Sequence, residues 1–270
     1  MMDSLRLIPW PEARPRLEQS GRIAFDLEGD FNLHRYGRRI CLFQIALDDG
    51  SVFLLDPFET PLGPTLGWPG WKELIEDPGV TKIIWAAQND VRVLKSCLGL
   101  QLRGLWDLFD AACLTVTPRP SLPLLVDTFL GKAIEKAESL QISDWSTRPL
   151  TFEQLTYAAQ DVQYLLSLAD QVDPLLDRKK KREAFLTRMQ TAEAYTFSDH
   201  PEPWRRLKGA GTLLPDELER LEQVWRRREA LAQRYDLAPW RLIPQEELVR
   251  WAREQSFSSD FTVDPRWVSG

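Results

Sequence analysis

The first third of the chain contains short runs of apolar residues that are bounded by Gly, Asp and Pro. Runs of four to eight apolar residues with such boundaries are typical of β-strands in a buried sheet. They predict four strands, at residues 22–28, 40–47, 52–56 and 81–85. The sequence Asp48-Asp49-Gly50 has the chemistry of a hairpin turn, so the second and third strands are predicted to be antiparallel.

Apolar residues at helical spacing follow the last of these strands. Val91, Leu94 and Leu98 predict a helix over residues 90–98, and further helices are predicted over 123–130 and 151–169. Strands followed by mixed elements and then by helices predict an α/β domain whose mixed sheet is flanked by helices.

A break that contains two prolines, at residues 196–203, precedes a second helical set. Its helices are predicted at 204–207, 215–231 and 246–252, which gives a small all-helical module. We therefore predict a first domain over residues 1–195, a helical domain over 203–256 and a C-terminal tail over 257–270. The basic run at residues 178–182 is predicted to lie inside a helical stretch and to face solvent.

The composition excludes several classes of chemistry. The 270 residues include 43% hydrophobic and 27% charged residues, which is typical of a globular protein. The sequence contains no apolar run of about 18 residues, the length of a membrane-spanning helix, and its first four residues lack the features of a signal peptide. We therefore expect a cytoplasmic protein that does not associate with a membrane. Two His residues and three widely separated Cys residues exclude a multi-histidine zinc site and a disulfide framework. Hydrolytic chemistry would therefore rest on carboxylates.

The net charge of −6 is unevenly distributed along the chain. Residues 1–177 contain 16 Lys and Arg against 25 Asp and Glu, a net −9, whereas residues 178–270 contain 18 against 15, a net +3. A nucleic acid would dock more readily on the second part, and the acids of the first part could hold divalent cations. Ordinary variation of surface charge along the chain would explain this asymmetry equally well.

Asp26 and Glu28 form the first candidate site. Residues two apart on a strand share a face, so both carboxylates point to one side while Leu27 points into the core. Two close carboxylates repel each other unless a cation lies between them. The pair therefore fits a metal site, although a solvated strand end would have the same sequence.

Tyr157 and Asp161 form the second candidate site, and Asp90 is the third. Residues four apart on a helix share a face, and the small residues Ala158 and Ala159 between them allow a close approach to the backbone. Taken alone, Tyr157 could lie at the edge of the helix core, Asp161 could be a surface acid and Asp90 a helix cap. Their significance depends on their combination.

The order of these motifs resembles that of the DEDD superfamily of 3′–5′ exonucleases, and within it the tyrosine-containing branch and the ribonuclease D-like proteins. The similar segments are residues 25–28 with 40–45, residues 82–94, and residues 141–151 followed by Tyr157 and Asp161. The resemblance implies a ribonuclease H-like mixed sheet flanked by helices, the DEDD exonuclease fold. It also implies a set of catalytic residues, which are Asp26, Glu28, Asp90, Tyr157 and Asp161.

Two positions depart from the family pattern. Trp85 stands where family members usually have His, and Leu108 stands where they usually have a polar residue. Neither position belongs to the family's metal-binding acids. These differences therefore bear on substrate preference and rate more than on the type of reaction.

The second helical set is similar to the accessory domain that RecQ-type helicases share with ribonuclease D, the HRDC domain. The similar segments are residues 204–209, 218–232 and 243–248. This resemblance implies a module that either engages nucleic acid or only packs against the catalytic domain.

The resemblance also implies a mechanism. Asp26, Glu28, Asp90 and Asp161 would bind two divalent ions, Mg²⁺ or Mn²⁺, with Asp26 touching both, and Tyr157 would orient the attacking water. The implied activity is hydrolysis of a nucleic acid from a free 3′ end, with release of nucleoside 5′-monophosphates. RNA is the favoured substrate because the most similar proteins trim RNA. A DNA exonuclease and a non-catalytic nucleic-acid-binding scaffold remain alternatives, and the sequence identifies no protein partner.

Overall fold

A computed structural model describes residues 5–59, 67–134 and 138–255. Contacts between residues divide the described chain into two units. The first unit contains the residues up to Gly29 together with residues 40–197, and the second contains residues 30–39 together with the residues from Ser198 onward. The C-terminal tail predicted over residues 257–270 lies outside the described residues. Among the described helices, none is long and apolar enough to cross a membrane.

A mixed sheet forms the centre of the first unit. The strands of the described residues are β1 (Arg22–Phe31), β2 (Arg38–Ala46), β3 (Val52–Leu55), β4 (Thr81–Ile84) and β5 (Leu105–Asp107). Their order across the sheet is β3-β2-β1-β4-β5. β2 and β3 are antiparallel, as the hairpin turn at residues 48–50 predicts, whereas β1 with β4 and β4 with β5 are parallel. The predicted mixed sheet is confirmed.

The short strand β5 is absent from the sequence prediction. It has only three residues, too few to show an alternating pattern, and its position depends on the close approach of two backbone segments. Gly104, which precedes β5, has a φ of +69°, and a Cβ at this position would lie 2.4 Å from the carbonyl oxygen of Val80. Glycine at this position therefore allows β5 to approach the segment that leads into β4.

Helices flank the sheet. In the first unit they are α1 (Trp10–Leu17), α2 (Trp71–Glu76), α3 (Gln88–Leu98), α4 (Leu108–Thr115), α5 (Leu122–Leu130), α6 (Glu138–Gln141), α7 (Phe152–Gln163), α8 (Leu165–Arg178) and α9 (Arg182–Glu193). The prediction of one continuous helix over residues 151–169 is wrong. The backbone of Tyr164, with a φ of −107°, departs from helical geometry and separates α7 from α8.

The basic run at residues 178–182 spans the junction of two helices and does not lie inside one helix. Arg178 ends α8, Arg182 begins α9, and the three residues between them are not helical. Lys180 has a φ of +58°, a left-handed conformation that ends helical propagation. The three lysines of this run are exposed, as predicted.

The sheet has an apolar face on which aromatic side chains pack. Phe25 and Leu27 of β1 are buried, and the Phe25 ring lies 6.1 Å from that of Phe43 and 6.4 Å from that of Trp71. Because side chains alternate along a strand, Asp26 and Glu28 lie on the opposite face of β1.

The second unit is helical, with α10 (Pro215–Tyr235), α11 (Pro239–Leu242) and α12 (Gln245–Glu254). Its buried core includes Trp204, Leu221 and Leu248, and the half-buried ring of Tyr36 packs against this core. The indole nitrogen of Trp240 donates to the carbonyl oxygen of Asn32 at 3.1 Å. Residues 30–39 are the end of β1, the connection to β2 and the start of β2. By their contacts they belong to the second unit.

Candidate active site

The strand β1 positions the first pair of acids. Asp26 and Glu28 are half-buried and stand on either side of the buried Leu27, and Phe25 before Asp26 is also buried. The Asp26 Oδ1 atom accepts a hydrogen bond from the backbone N–H of Leu27 at 2.9 Å. This bond fixes the carboxylate close to the strand backbone.

Asp90 lies in the first turn of α3, shortly after β4, and its side chain is buried. Burial raises the pKa of the Asp90 carboxyl well above its usual range, and the negative charge of Asp26 raises it further. The parallel pairing of β4 with β1 explains this proximity, because it brings the carboxyl end of β4 beside β1. The structure therefore brings Asp26 and Asp90 together.

The helix α7 positions Tyr157 and Asp161. It begins with a capping box, in which Gln154 N–H donates to Thr151 Oγ1 at 3.2 Å and Thr151 N–H donates to Gln154 Oε1 at 2.9 Å. Tyr157 and Asp161 are both buried, at 7% and 6% exposure, and their four-residue spacing places them on one face. The Tyr157 ring lies 6.1 Å from that of Trp145.

The Tyr157 hydroxyl forms a bond within α7 and lies near the acids of β1. It forms a hydrogen bond with the Asp161 carboxylate, in which the phenol is the donor. Burial is the largest cause that raises the pKa of Tyr157, followed by the negative charges of Asp161, Glu28 and Asp26. Each of the five residues predicted for the site thus interacts electrostatically with at least one other. The ring of Tyr157 packs in the helix core, and its hydroxyl lies near three of the acids Asp26, Glu28, Asp90 and Asp161, which together we call the acidic cluster.

Asp107 is a buried acid that the sequence analysis did not assign to the site. Its carboxylate accepts hydrogen bonds from the backbone N–H groups of Ala86 at 3.1 Å and Ala87 at 2.8 Å, in the loop that leads to Asp90. It also caps α4 by accepting from Phe109 and Asp110. Burial raises the pKa of Asp107, while these hydrogen bonds act in the opposite direction. An Asp directly before an apolar helix is the sequence signal that could have identified the cap.

Arg148 holds the segment that precedes α7. Its guanidinium donates to both carboxylate oxygens of the buried Asp56, at 2.6 and 2.9 Å, and to the carbonyl oxygens of Cys41 at 2.6 Å and Trp145 at 2.7 Å. Asp56 follows β3 and Cys41 lies on β2, so Arg148 attaches this segment to the sheet. Sequence reasoning missed this role because the partners lie 92 and 107 residues away.

The two positions that depart from the family pattern lie close to these elements. Trp85 is half-buried, and its ring meets that of Phe109 edge to face at 5.4 Å. Leu108 is fully buried in the first turn of α4. A polar residue in place of Leu108 would enter an apolar environment, so the local packing accounts for the leucine.

The donor chemistry of the acidic cluster fits a divalent cation. Carboxylate oxygens are the ligands that hard cations such as Mg²⁺ prefer. Burial is the largest cause of the raised pKa values of Asp90 and Tyr157, and the negative charges of neighbouring acids raise both values further. Over the described residues, no three His, Cys, Asp or Glu side chains are already grouped as the ligands of one ion. Side-chain movement, or oxygens from water and substrate, would have to complete the coordination.

The sequence is similar to those of known proteins over most of its length. A family model described as 3′–5′ exonuclease matches residues 12–177. The chain is 31% identical to ribonuclease D of Cronobacter turicensis over 220 residues, which are 77% of this chain and 56% of that protein. The chain spans between 33% and 60% of the length of the first three curated relatives that it matches.

Two solved structures extend the comparison. Escherichia coli RNase D, described as an exoribonuclease involved in structured RNA processing, superposes with a TM-score of 0.71 and 26% identity, covering 94% of this chain and 68% of that one. Brucella melitensis NrnC with bound Mg²⁺ superposes with a TM-score of 0.55 and 27% identity, covering 65% of this chain and 83% of that one.

Proposed function

We propose that this chain, which belongs to the 3′–5′ exonuclease family, is a metal-dependent 3′–5′ exoribonuclease of the ribonuclease D type. One observation carries the proposal. Three elements that are distant in sequence, β1, α3 and α7, bring four carboxylates and one phenol into electrostatic contact. Such a concentration of buried and half-buried carboxylates is unfavourable without a cation and is typical of a catalytic centre.

The residues that we assign to catalysis are Asp26, Glu28, Asp90, Tyr157 and Asp161, the set of the tyrosine-containing DEDD branch. The raised pKa of Tyr157 supports a protonated phenol at neutral pH. A protonated phenol is a hydrogen-bond donor and not a base, so its proposed role is to orient the attacking water.

We propose that the four acids bind two Mg²⁺ or Mn²⁺ ions, Asp26, Glu28 and Asp161 holding one and Asp26 and Asp90 the other. When bound, such ions activate water and stabilise the leaving oxygen of a phosphodiester. The acids also neutralise the ions, since four carboxylates balance two divalent charges and leave the site able to accept an anionic phosphate. The Mg²⁺ in the related NrnC structure supports this choice of cation.

We propose RNA with a free 3′ end as the substrate because the named relatives are ribonucleases. A DNA exonuclease is the alternative, since the acidic cluster itself has no feature that distinguishes ribose from deoxyribose. A non-catalytic scaffold is disfavoured, because the chain has all five residues of the motif set.

We further propose that residues 203–256 form an HRDC-like domain after an exonuclease domain over residues 1–195. The E. coli RNase D superposition supports this, because it covers 94% of the chain and so extends beyond residue 177. Arg205, Arg206 and Lys208 of this region are exposed and could contact phosphates. Arg228 is buried and donates to the carbonyl oxygen of Ile243 at 3.2 Å, so it is not available to nucleic acid.

A cytoplasmic location remains our proposal for this protein, and cell fractionation followed by detection of the chain in the soluble or the membrane fraction tests it. Appearance of the chain in a membrane fraction would contradict the proposal.

The activity is tested by incubating the full chain with 5′-labelled single-stranded RNA and with a DNA of the same sequence. We expect a ladder that shortens from the 3′ end in Mg²⁺ or Mn²⁺ and intact RNA in EDTA. The Asp26→Asn variant, which removes a charge and keeps the size of the side chain, is the control for contaminating nucleases. We expect it to lower the rate by about 10²-fold or more.

Each alternative gives a different result in this assay. Cleavage of DNA with intact RNA would identify a DNA exonuclease. Intact RNA and DNA under every ion condition, with retained binding, would identify a scaffold.

A further inference from the structure

A cavity of about 560 Å³ lies between α3, α4 and α9 in the first unit. Pockets for small organic ligands have volumes of roughly 300–1,000 Å³, so this cavity can hold a group the size of a nucleoside. The residues that argue for a ligand are Gln88, Arg92, Phe109, Asp110, Arg188 and Tyr195. Ala86 and Asp107 also line the cavity, so its wall is continuous with the loop that leads to Asp90.

The charges around the cavity are balanced. Arg188 forms an ion pair with Asp110 at 2.7 Å, and the Asp107 carboxylate accepts four backbone N–H groups. The Arg92 guanidinium lies 5.9 Å from the centre of the Tyr195 ring. Two acids and two arginines give no strong preference for an anion. Aromatic rings and guanidinium planes instead favour a flat, neutral ring.

The position of the cavity relates it to Asp26 on β1, the acid that we propose to contact both ions. It lies at the carboxyl ends of β4 and β5, and β5 is two strands away from β1 in the sheet. Neighbouring strands are about 4.8 Å apart, so this separation is about 10 Å. A stacked nucleic-acid strand advances about 3.4 Å per nucleotide and covers that distance in about three nucleotides.

We propose that this cavity binds the base of the third nucleotide from the 3′ end of the RNA, stacked by Tyr195 and Phe109 and flanked by Arg92. This inference rests on the proposed function and adds the site at which the strand upstream of the cleaved nucleotide is held. Stacking on an aromatic ring accepts every base, so the cavity would favour RNA of at least three nucleotides without selecting a sequence.

The experiment measures binding of 5′-fluorescein-labelled hexanucleotide RNAs to the full chain in EDTA, by anisotropy. Each RNA carries one abasic ribose, at a different position in each member of the set. In the parent protein we expect the abasic ribose at the third position from the 3′ end to weaken binding by about 5- to 100-fold. We expect Tyr195→Leu to abolish this position-dependent loss and Tyr195→Phe, which keeps the ring, to retain it.

A second variant, Arg92→Ala, removes the exposed guanidinium that lies over the Tyr195 ring. In this variant we expect the abasic ribose at the third position to weaken RNA binding less than it does in the parent protein. It provides the test if Tyr195→Leu fails to fold, as judged by its thermal unfolding. The proposal would be overturned if the abasic ribose weakened binding equally at every position. It would also be overturned if binding by Tyr195→Leu depended on the position of the abasic ribose in the same way as binding by the parent protein. A loss caused by a neutral methylphosphonate linkage, with none from any abasic ribose, would assign the cavity to a phosphate and would also overturn it.

The result is distinguishable from a failure of the proposed function. If the parent protein shortens RNA but its binding does not depend on the position of the abasic ribose, the cavity assignment alone is overturned. If binding by the parent protein depends on the position of the abasic ribose but the protein does not shorten RNA with any ion, the exoribonuclease proposal alone is overturned.

Discussion

Asp90 and Asp107 are both buried aspartates near the carboxyl ends of neighbouring parallel strands, Asp90 after β4 and Asp107 as the last residue of β5, yet their surroundings differ. The Asp107 carboxylate accepts four backbone N–H groups, and it thereby holds the loop before α3 and the start of α4. The Asp90 carboxyl lies near the negative charge of Asp26. Burial raises the pKa of both acids, so burial by itself does not identify a functional acid. The partners of the carboxylate make the distinction, because backbone donors stabilise a fold while a second carboxylate requires a cation.

The largest expected effect comes from the Asp90→Asn substitution. We expect RNA cleavage in Mg²⁺ to fall by about 10²-fold or more, because a neutral amide is a much weaker ligand for a divalent ion. The free energy of unfolding should stay the same or rise, since the repulsion from Asp26 is removed. Initial cleavage rates and urea unfolding of the same preparation check both parts. A variant that loses stability and keeps its cleavage rate would show that Asp90 is structural.

Lys82 extends the comparison to a buried cation. This side chain is fully buried on β4, and its Nζ donates to the carbonyl oxygen of Asp77 at 2.6 Å. Burial lowers the pKa of Lys82 from 10.5 to about 8, although the negative charges of Asp77 and Glu193 act to raise it. Between pH 8 and 10.5 the unfolded chain therefore binds more protons than the folded chain, and the contribution of Lys82 makes the folded state more stable as pH rises.

We expect Lys82→Met to remove this pH dependence, which amounts to about 3 kcal/mol across that interval. The difference in unfolding free energy between variant and parent should change between pH 8 and 10.5 and stay constant below pH 8. Urea unfolding at a series of pH values measures it, with the exposed Lys179→Met as the matched control. A constant difference across the whole range would show that Lys82 does not titrate in this interval.

The Asp107→Asn substitution tests the structural member of the pair. An amide offers only one acceptor oxygen, so its NH₂ group would face at least one backbone N–H, such as that of Ala87. We expect the free energy of unfolding to fall by about 1–3 kcal/mol, the cost of leaving a buried donor without an acceptor. The matched control is Asp90→Asn, for which no such loss is expected. Equal losses of stability in the two variants would remove the contrast between the two acids.

The smallest expected effect is that of Tyr157→Phe, which removes one hydroxyl and keeps the ring that packs on Trp145. We expect the cleavage rate to fall by about 10-fold, while divalent-ion binding measured by calorimetry persists, because the four acids remain. Tyr164→Phe, at the junction of α7 and α8, is the control for removal of a hydroxyl outside the site. Unchanged cleavage in Tyr157→Phe would return this residue to a purely structural role in the helix core.

Several features of the site could be predicted because they depend on local geometry. Side-chain alternation along β1 places Asp26 and Glu28 on one face, and the helical repeat places Tyr157 four residues before Asp161 on one face of α7. The assignment of all five residues to one catalytic centre stays a prediction that the variants above test. The continuous helix over residues 151–169 shows the limit of such reasoning, since an uninterrupted apolar stripe does not reveal the break at Tyr164.

Other features depended on contacts that no local pattern contains. Asp107 reaches the backbone of Ala86 and Ala87 across about 20 residues, and Arg148 reaches Asp56 across 92. The three-residue strand β5 exists because a parallel neighbour supplies its hydrogen-bond partners, and residues 30–39 belong to the helical unit although they connect two strands of the sheet.

The sequence by itself determined the period of each long element, the face on which each candidate acid lies and the hairpin between β2 and β3, because bond geometry fixes distances between residues a few positions apart. Only the tertiary structure decided which acids share a cluster, which acid is bound by backbone donors and where a cavity opens beside them. Those properties arise when segments distant along the chain meet, and both the energy of a buried charge and the shape of a cavity depend on the partners that this meeting supplies.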